Sequence, residues 1–175
     1  NVYGPHQYPE KLVPKLLLQG LAGKPFTVHG RGGSVRNYLY AEDAARAFVR
    51  LLHEGKTGEI YNISGNEEHS TLQVAQEMQR IFEENGKRVP KLQHVRDRAF
   101  NDCRYSVSSK KLQALGWKPT IPIGDGLRRC FRWYAARAAE GRYAGVPLTA
   151  HPDAHPDQQD GNVAVHLLLA GNDKA

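Results

Sequence analysis

Residues Arg36 to Asp43 read RNYLYAED. An arginine opens the stretch, three large aromatic or aliphatic residues follow, and an acidic pair closes it. Upstream, Arg31-Gly32-Gly33-Ser34 has turn composition. Val35 to Tyr40 is rich in β-formers and is expected as an extended piece. Glu42-Asp43 puts negative charge where a helix is expected to begin, at its positive end. Arg36 thus stands on a strand just past a glycine turn, where its planar fork can reach a phosphate. The alternative is an internal salt bridge to Glu42 or Asp43.

Working outward, strands alternate with helices. Asn1 to Pro9 is loop-like, with Gly4, Pro5 and Pro9. From Glu10, Leu12, Val13, Leu16 and Leu17 fall at helical spacing, with Pro14 tolerated in the first turn and Gly23 as the stop. Phe26 to His29 is expected as a short strand. After Asp43 the apolar stripe of the helix is expected to be Ala44, Ala45, Phe48, Leu51 and Leu52, ended by Gly55. Ile60 to Ile63 is read as a strand. Ser70 and Gln73 form a capping box for a helix with Leu72, Ala75, Met78 and Phe82 on one face. Leu92 to Val95 is a strand, Arg96 to Asp102 a charged loop, and Ser108 introduces a short helix carrying Leu112 and Leu115. A last helix carries Ile123, Leu127, Cys130, Phe131 and Tyr134. The order is α/β, with strands too short and few for a complete doubly wound sheet. Residues 1–140 are expected to form the packed part. Residues 141–175, with the repeat His151-Pro152-Asp153-Ala154-His155-Pro156-Asp157, are expected to be a disordered tail.

The composition limits the function classes. The chain has 175 residues, 40% hydrophobic, with a formal net charge of +6. A basic balance fits nucleic acid, acidic membrane or a phosphorylated small molecule. The basic residues are scattered and RNA-binding signatures are absent, which argues against nucleic acid. Cys103 and Cys130 have no CxxC or Cys/His ligand spacing, so a reduced, cytoplasmic protein is expected. No apolar run approaches the ~20 residues of a membrane span. The tail histidines match no metal-site spacing, and no metal is expected. The chain opens on a loop without methionine, and an N-terminal truncation is expected.

Candidate ligand-binding residues lie elsewhere too. Lys11 opens a helix, either facing a phosphate at its positive end or solvated. The loop Asp97 to Arg104, DRAFNDCR, mixes carboxylates and guanidiniums. These either neutralise one another or present Arg98 to a pyrophosphate. His29 on its strand is more often structural than catalytic. No GxSxG, HExxH or Walker loop is present, and no nucleophile is activated by its local sequence.

Four segments carry a resemblance: NVYGPHQYPEKLVPK (1–15), GKPFTVHGRGGSVRNYLYAEDAARAF (23–48), GEIYNISG (58–65) and DRAFNDCRYSVSSKKLQALGWKP (97–119). Together the chain resembles the C-terminal half of a nucleotide-sugar 4,6-dehydratase of the extended short-chain dehydrogenase/reductase family. The likeness runs to about Tyr134 and is nearest to the dTDP-glucose 4,6-dehydratases and the related UDP-glucose enzymes of rhamnose synthesis. It implies an incomplete Rossmann-type fold, this chain being the substrate-binding lobe, with a homodimeric parent using NAD. Asn1 would contact the substrate and Val2 the nicotinamide end of NAD. Lys11 and Leu12 would be a substrate-binding pair. Thr27, Val28 and His29 would pass the nucleotide base, and Arg36 would bind the diphosphate. Asp97, Arg98 and Asn101 would belong to the loop closing over the nucleotide, where Phe100 could stack on or crowd the base. The family's GxxGxxG motif, its Tyr-x-x-x-Lys pair and its Asp-Glu pair are not found here, so no catalytic residue is assigned. The chain alone is expected to be inactive.

Overall fold

The computed structural model describes residues 1–97 and 102–148. Two layers carry the fold: a set of short strands and three packed helices. The helices are α1 (Leu12–Leu21), α3 (Thr71–Glu84) and α5 (Ile123–Ala139). Leu16, Leu17, Met78, Ile81, Phe82, Leu127 and Tyr134 are fully buried between them. Phe82 stands edge-on to Phe26 and to Phe131, at ring distances of 5.7 and 5.0 Å, a favoured aromatic geometry. The capping box of α3 forms as its residue types require. Ser70 Oγ accepts from Gln73 N at 3.1 Å, and Gln73 Oε1 accepts from Ser70 N at 2.8 Å. Ser70→Ala is expected to cost about 1 kcal/mol in urea unfolding, because two amide donors lose their partner geometry.

The strands form three small sheets. β1 (Val2–Tyr3) pairs in parallel with β4 (Leu39–Tyr40). β2 (Phe26–His29) pairs in parallel with β6 (Leu92–Val95). β3 (Val35–Asn37) lies between β5 (Glu68–Ser70), antiparallel, and β7 (Arg104–Tyr105), parallel. The extended piece Val35 to Tyr40 is therefore two strands in two sheets. The break falls at Tyr38, whose amide donates to Glu67 O at 3.3 Å. Ile60 to Ile63, expected as a strand, joins no ladder among the described residues.

α2 (Ala41–Glu54) corrects the expected stripe. Asp43, Ala44 and Ala47 face inward, with Leu51 partly buried. They pack on Leu39, on Trp117 and on Leu112 of the short α4 (Lys110–Gln113). Phe48 and Leu52 instead point outward, 61% and 85% exposed, beside Val49. With Ala45, these residues recur at spacings of three and four on the face away from the core. The helix is apolar on two sides, and a periodicity count cannot tell which side is covered.

The packed part also runs past residue 140. Tyr143 and Val146 pack on the core, and Leu148 is buried. Gln19, buried in α1, explains why: its Nε2 donates to Leu148 O at 3.2 Å and to Thr27 Oγ1 at 2.9 Å. The histidine-rich segment lies outside the described residues. Among the described residues no helix is long and apolar enough to cross a membrane.

Candidate functional site

Strand order gathers most of the candidates at one end of the sheets. β1 lies beside β4, so Asn1 and Val2 run along RNYLYAED: Leu39 N donates to Asn1 O at 3.0 Å, and the Asn1 amine donates to Asn37 O at 2.9 Å. β6 ends beside His29, and β7 begins beside Val35. The described ends of the connection between β6 and β7 thus lie at His29 and at Val35, whose amide donates to Cys103 O at 2.9 Å. Two histidines frame its start. His29 Nδ1 lies 3.1 Å from Arg96 O, and His94 Nδ1 lies 2.8 Å from Gly30 O. Asp97 sits against Gly30, where an added β-carbon would come within 2.5 Å of Oδ2. Gly30 has φ of 54°, a left-handed backbone conformation that favours glycine. Arg98 and Asn101 lie outside the described residues.

Arg36 Nη1 donates to Val35 O at 2.7 Å. The carboxylates offered as its alternative partners are engaged elsewhere. Glu42 Oε2 accepts from Arg129 at 2.9 Å and Oε1 from Arg46 at 3.5 Å. Asp43 is fully buried and takes the amides of Thr120 and Ile121, the Thr120 hydroxyl and Arg46. Arg104, on the strand beside Arg36, is held by Glu68 through contacts of 2.8 to 3.2 Å. Arg104 thus has its carboxylate partner on β5 of the same sheet.

The other candidates divide. Val2 is half exposed at the start of β1. Lys11 is exposed at the start of α1, and Leu12 is partly buried against the core. Val28 is fully buried, so only its backbone can reach a ligand. Thr27 N donates to Gln19 Oε1 at 3.1 Å, and its hydroxyl accepts from the same side chain. One polar atom was missed in the sequence reading: Asn37 Oδ1 is buried and accepts no hydrogen bond, while its Nδ2 donates to Gly65 O at 3.2 Å. A buried acceptor without a donor, one residue from Arg36, is costly unless a ligand supplies the donor. Nothing in residue type separates this asparagine from a surface one.

Chemically the end of the sheets offers cations, an amide and a histidine. The Tyr38 phenol is pushed up to about 12 by burial, with Arg36 pulling it the other way, so it stays protonated at neutral pH. Among the described residues no group of three His, Cys, Asp or Glu side chains is placed to hold a metal. The arrangement suits binding an anion.

Residues 1–64 match the NAD dependent epimerase/dehydratase family. The chain is 42% identical over 159 residues to a dTDP-D-glucose 4,6-dehydratase of Bos taurus, across 89% of this chain and 45% of the relative. This chain is a relative of the NAD-dependent epimerases and dehydratases. Two solved structures of the family share its fold. A dTDP-glucose 4,6-dehydratase of Streptomyces venezuelae, solved with NAD bound, has a TM-score of 0.72 at 33% identity, covering 85% of this chain and 44% of that one. A UDP-glucuronic acid 4-epimerase of Bacillus cereus, solved with UDP-glucuronic acid and NAD, has a TM-score of 0.70 at 28% identity, covering 78% of this chain and 43% of that one. The fold is thus of the extended short-chain dehydrogenase/reductase type. The chain spans less than half the length of the curated relatives it matches. The family match covers the N-terminal region of this chain, with Asn1, Val2, Lys11, Leu12, Thr27 to His29 and Arg36. It stops short of the Asp97 loop and does not by itself assign the chain to a C-terminal lobe.

Proposed function

We propose that this chain is the substrate-binding part of an NAD-dependent nucleotide-sugar 4,6-dehydratase, and that Arg36 holds the diphosphate of the nucleotide sugar. One observation carries the reading: the ends of β6 and β7 lie beside His29 and Val35, which puts both next to Arg36, with Asn1 alongside. Asn37 Oδ1 would accept a donor from the ligand, and Asn1 would face the sugar. Binding energy gathered at the diphosphate, remote from the reacting carbons, orients the sugar for reaction.

The residues present fit NAD only at an edge. Val2 offers an exposed apolar side chain, and the turn after β1 leads through Gly4-Pro5 to Lys11 without a glycine-rich phosphate cradle. In the reaction proposed for the whole enzyme, NAD supplies the hydride acceptor for C4 of the glucose and later the donor to C6. Water leaves across C5 and C6 in between, giving the 4-keto-6-deoxy sugar. The chain by itself is proposed to bind without turnover.

A stand-alone nucleotide-sugar binding module is the second reading. The outward apolar face of α2, with Phe48, Val49 and Leu52, favours the first. An epimerase of the same family would bind the same way, and product analysis separates the two chemistries.

Calorimetric titration of the chain with dTDP-glucose and UDP-glucose tests the reading. Arg36→Ala is expected to weaken binding by roughly 10- to 100-fold, the worth of a charge-assisted phosphate contact. Unchanged affinity in a folded Arg36→Ala chain overturns the diphosphate assignment. Formation of 4-keto product by the purified chain with added NAD overturns the claim that it binds without turnover.

A further inference from the structure

We propose that His69 is a second cation of the anion seat, sharing the ligand's diphosphate with Arg36 and taking up a proton as the ligand binds; this rests on the nucleotide-diphosphate reading above. His69 belongs to none of the motifs that carry the family likeness. Its place in the sheet supplies the argument.

In the antiparallel pair of β3 and β5, Arg36 and His69 are directly opposed. Opposed residues send their side chains to the same face, with β-carbons about 4.5–5.5 Å apart. The His69 ring also lies 6.5 Å from the ring of Tyr38, and Arg36 acts electrostatically on the Tyr38 phenol. Guanidinium, phenol and imidazole therefore form one cluster. The His69 side chain is 28% exposed and also lines an open cleft of about 740 Å³ whose wall holds Glu67, Glu77 and Arg80 but not Arg36.

The orientation of the ring is set from behind. Glu67 Oε2 lies 3.4 Å from His69 Nε2 and accepts from the Ile123 amide at 3.0 Å. That amide opens α5, so the carboxylate is anchored where the helix favours negative charge. With Nε2–H given to Glu67, Nδ1 can donate to a phosphate only when the ring is the imidazolium. Binding an anion there requires the second proton. Histidine is the side chain suited to that exchange near neutral pH.

The surrounding charges leave this role open. Glu68, next along β5, is committed to Arg104 of β7. Glu77 of α3, across the cleft, pairs with Arg80 and Arg128. Arg36 adds positive charge on the β3 side, and Glu67 adds one negative charge on the other. A diphosphate diester, with two negative charges, finds Arg36 and the imidazolium as its two cations.

The experiment titrates the 175-residue chain with UDP-glucose and dTDP-glucose at pH 6 and pH 8, in two buffers of different ionisation enthalpy. The phosphates of these sugars do not titrate in that interval. Wild type is expected to bind about tenfold more tightly at pH 6 and to show a buffer-dependent heat that reports proton uptake. His69→Gln, which keeps a polar side chain without the charge, is expected to bind weakly at both pH values with no proton uptake. His69→Lys is expected to restore tight binding at both. Thermal unfolding of each variant checks that it is folded. If His69→Gln matches wild type at both pH values while Arg36→Ala still loses binding, the His69 role fails and the diphosphate site stands. If Arg36→Ala has no effect either, both fail together.

Discussion

Replacing Asp43 with alanine is expected to cost about 3–5 kcal/mol of folding stability, the loss typical of breaking a buried charge network from one side. Asp43 is fully buried at the third residue of α2, yet most of its partners are remote in sequence. Both carboxylate oxygens lie 3.1 Å from the Thr120 amide, Oδ2 accepts from Ile121 N at 3.0 Å, and Oδ1 accepts from the Thr120 hydroxyl at 3.2 Å. Arg46 completes the set, and the Asp43 carbonyl accepts from Trp117 Nε1 at 3.1 Å. Alanine would strand two amides and leave Arg46 without its buried partner. Asn at this position keeps one acceptor but points an NH2 group at those donors, so it should recover only part of the loss. The neighbouring Glu42 is half exposed, and Glu42→Ala should cost under about 1 kcal/mol despite two ion pairs. Urea unfolding of the three variants at neutral pH gives the ranking. A loss below about 1 kcal/mol for Asp43→Ala would mean that the 120–121 segment finds other acceptors.

Gly65→Ala is the second large effect, expected at about 1–3 kcal/mol. A β-carbon on Gly65 would be driven into the carbonyl oxygen of Tyr38. That atom is backbone, at the point where the chain leaves one sheet for another, so it cannot swing aside as a side-chain tip can. Relief requires Tyr38 to move, and with it the strand that carries Arg36. Affinity for the nucleotide sugar should therefore fall together with stability. Gly33→Ala is the control: nothing stands within 4 Å of its added carbon, and its backbone is in an ordinary conformation. It should change neither property measurably. A Gly65→Ala chain that binds normally and unfolds at the wild-type urea midpoint would show that the corner yields without cost.

How much of this was legible in the residues depends on how far away each partner lies. The α3 cap was readable because Ser70 and Gln73 answer each other within one turn. α1, β2 and β6 were readable because each apolar period has a single covered face. The break at Tyr38 was not, since it depends on Glu67 and Gly65, which reach it across a helix and a loop. Asp43 looked like a helix-opening charge, and its true partners lie 77 and 78 residues on. α2 misled because both of its faces are apolar and only packing decides which one is used. For the candidate site, Arg36 was singled out by residue type and likeness, and His29 by likeness alone. Asn37 and His69 were not, because their interest comes from burial and register alone.

The clamp on the N-terminal loop has a consequence for the order of folding. Tyr134 in α5 donates to Gln7 O at 2.9 Å, across 127 residues of chain. Tyr3 donates to Ile123 O at 3.2 Å, across 120. Closing loops of this size adds little to the equilibrium cost, because that cost grows only logarithmically with length. It does slow the rate at which such contacts form. On a ribosome, α1 and α3 are complete long before α5 emerges to fix the segment that carries Asn1 and Val2. Asn1 and Val2 have their β4 partners early, whereas the loop that holds Gln7 and the ring of Tyr3 are fixed only once residues near position 130 have been made, so the packing of this corner is completed last.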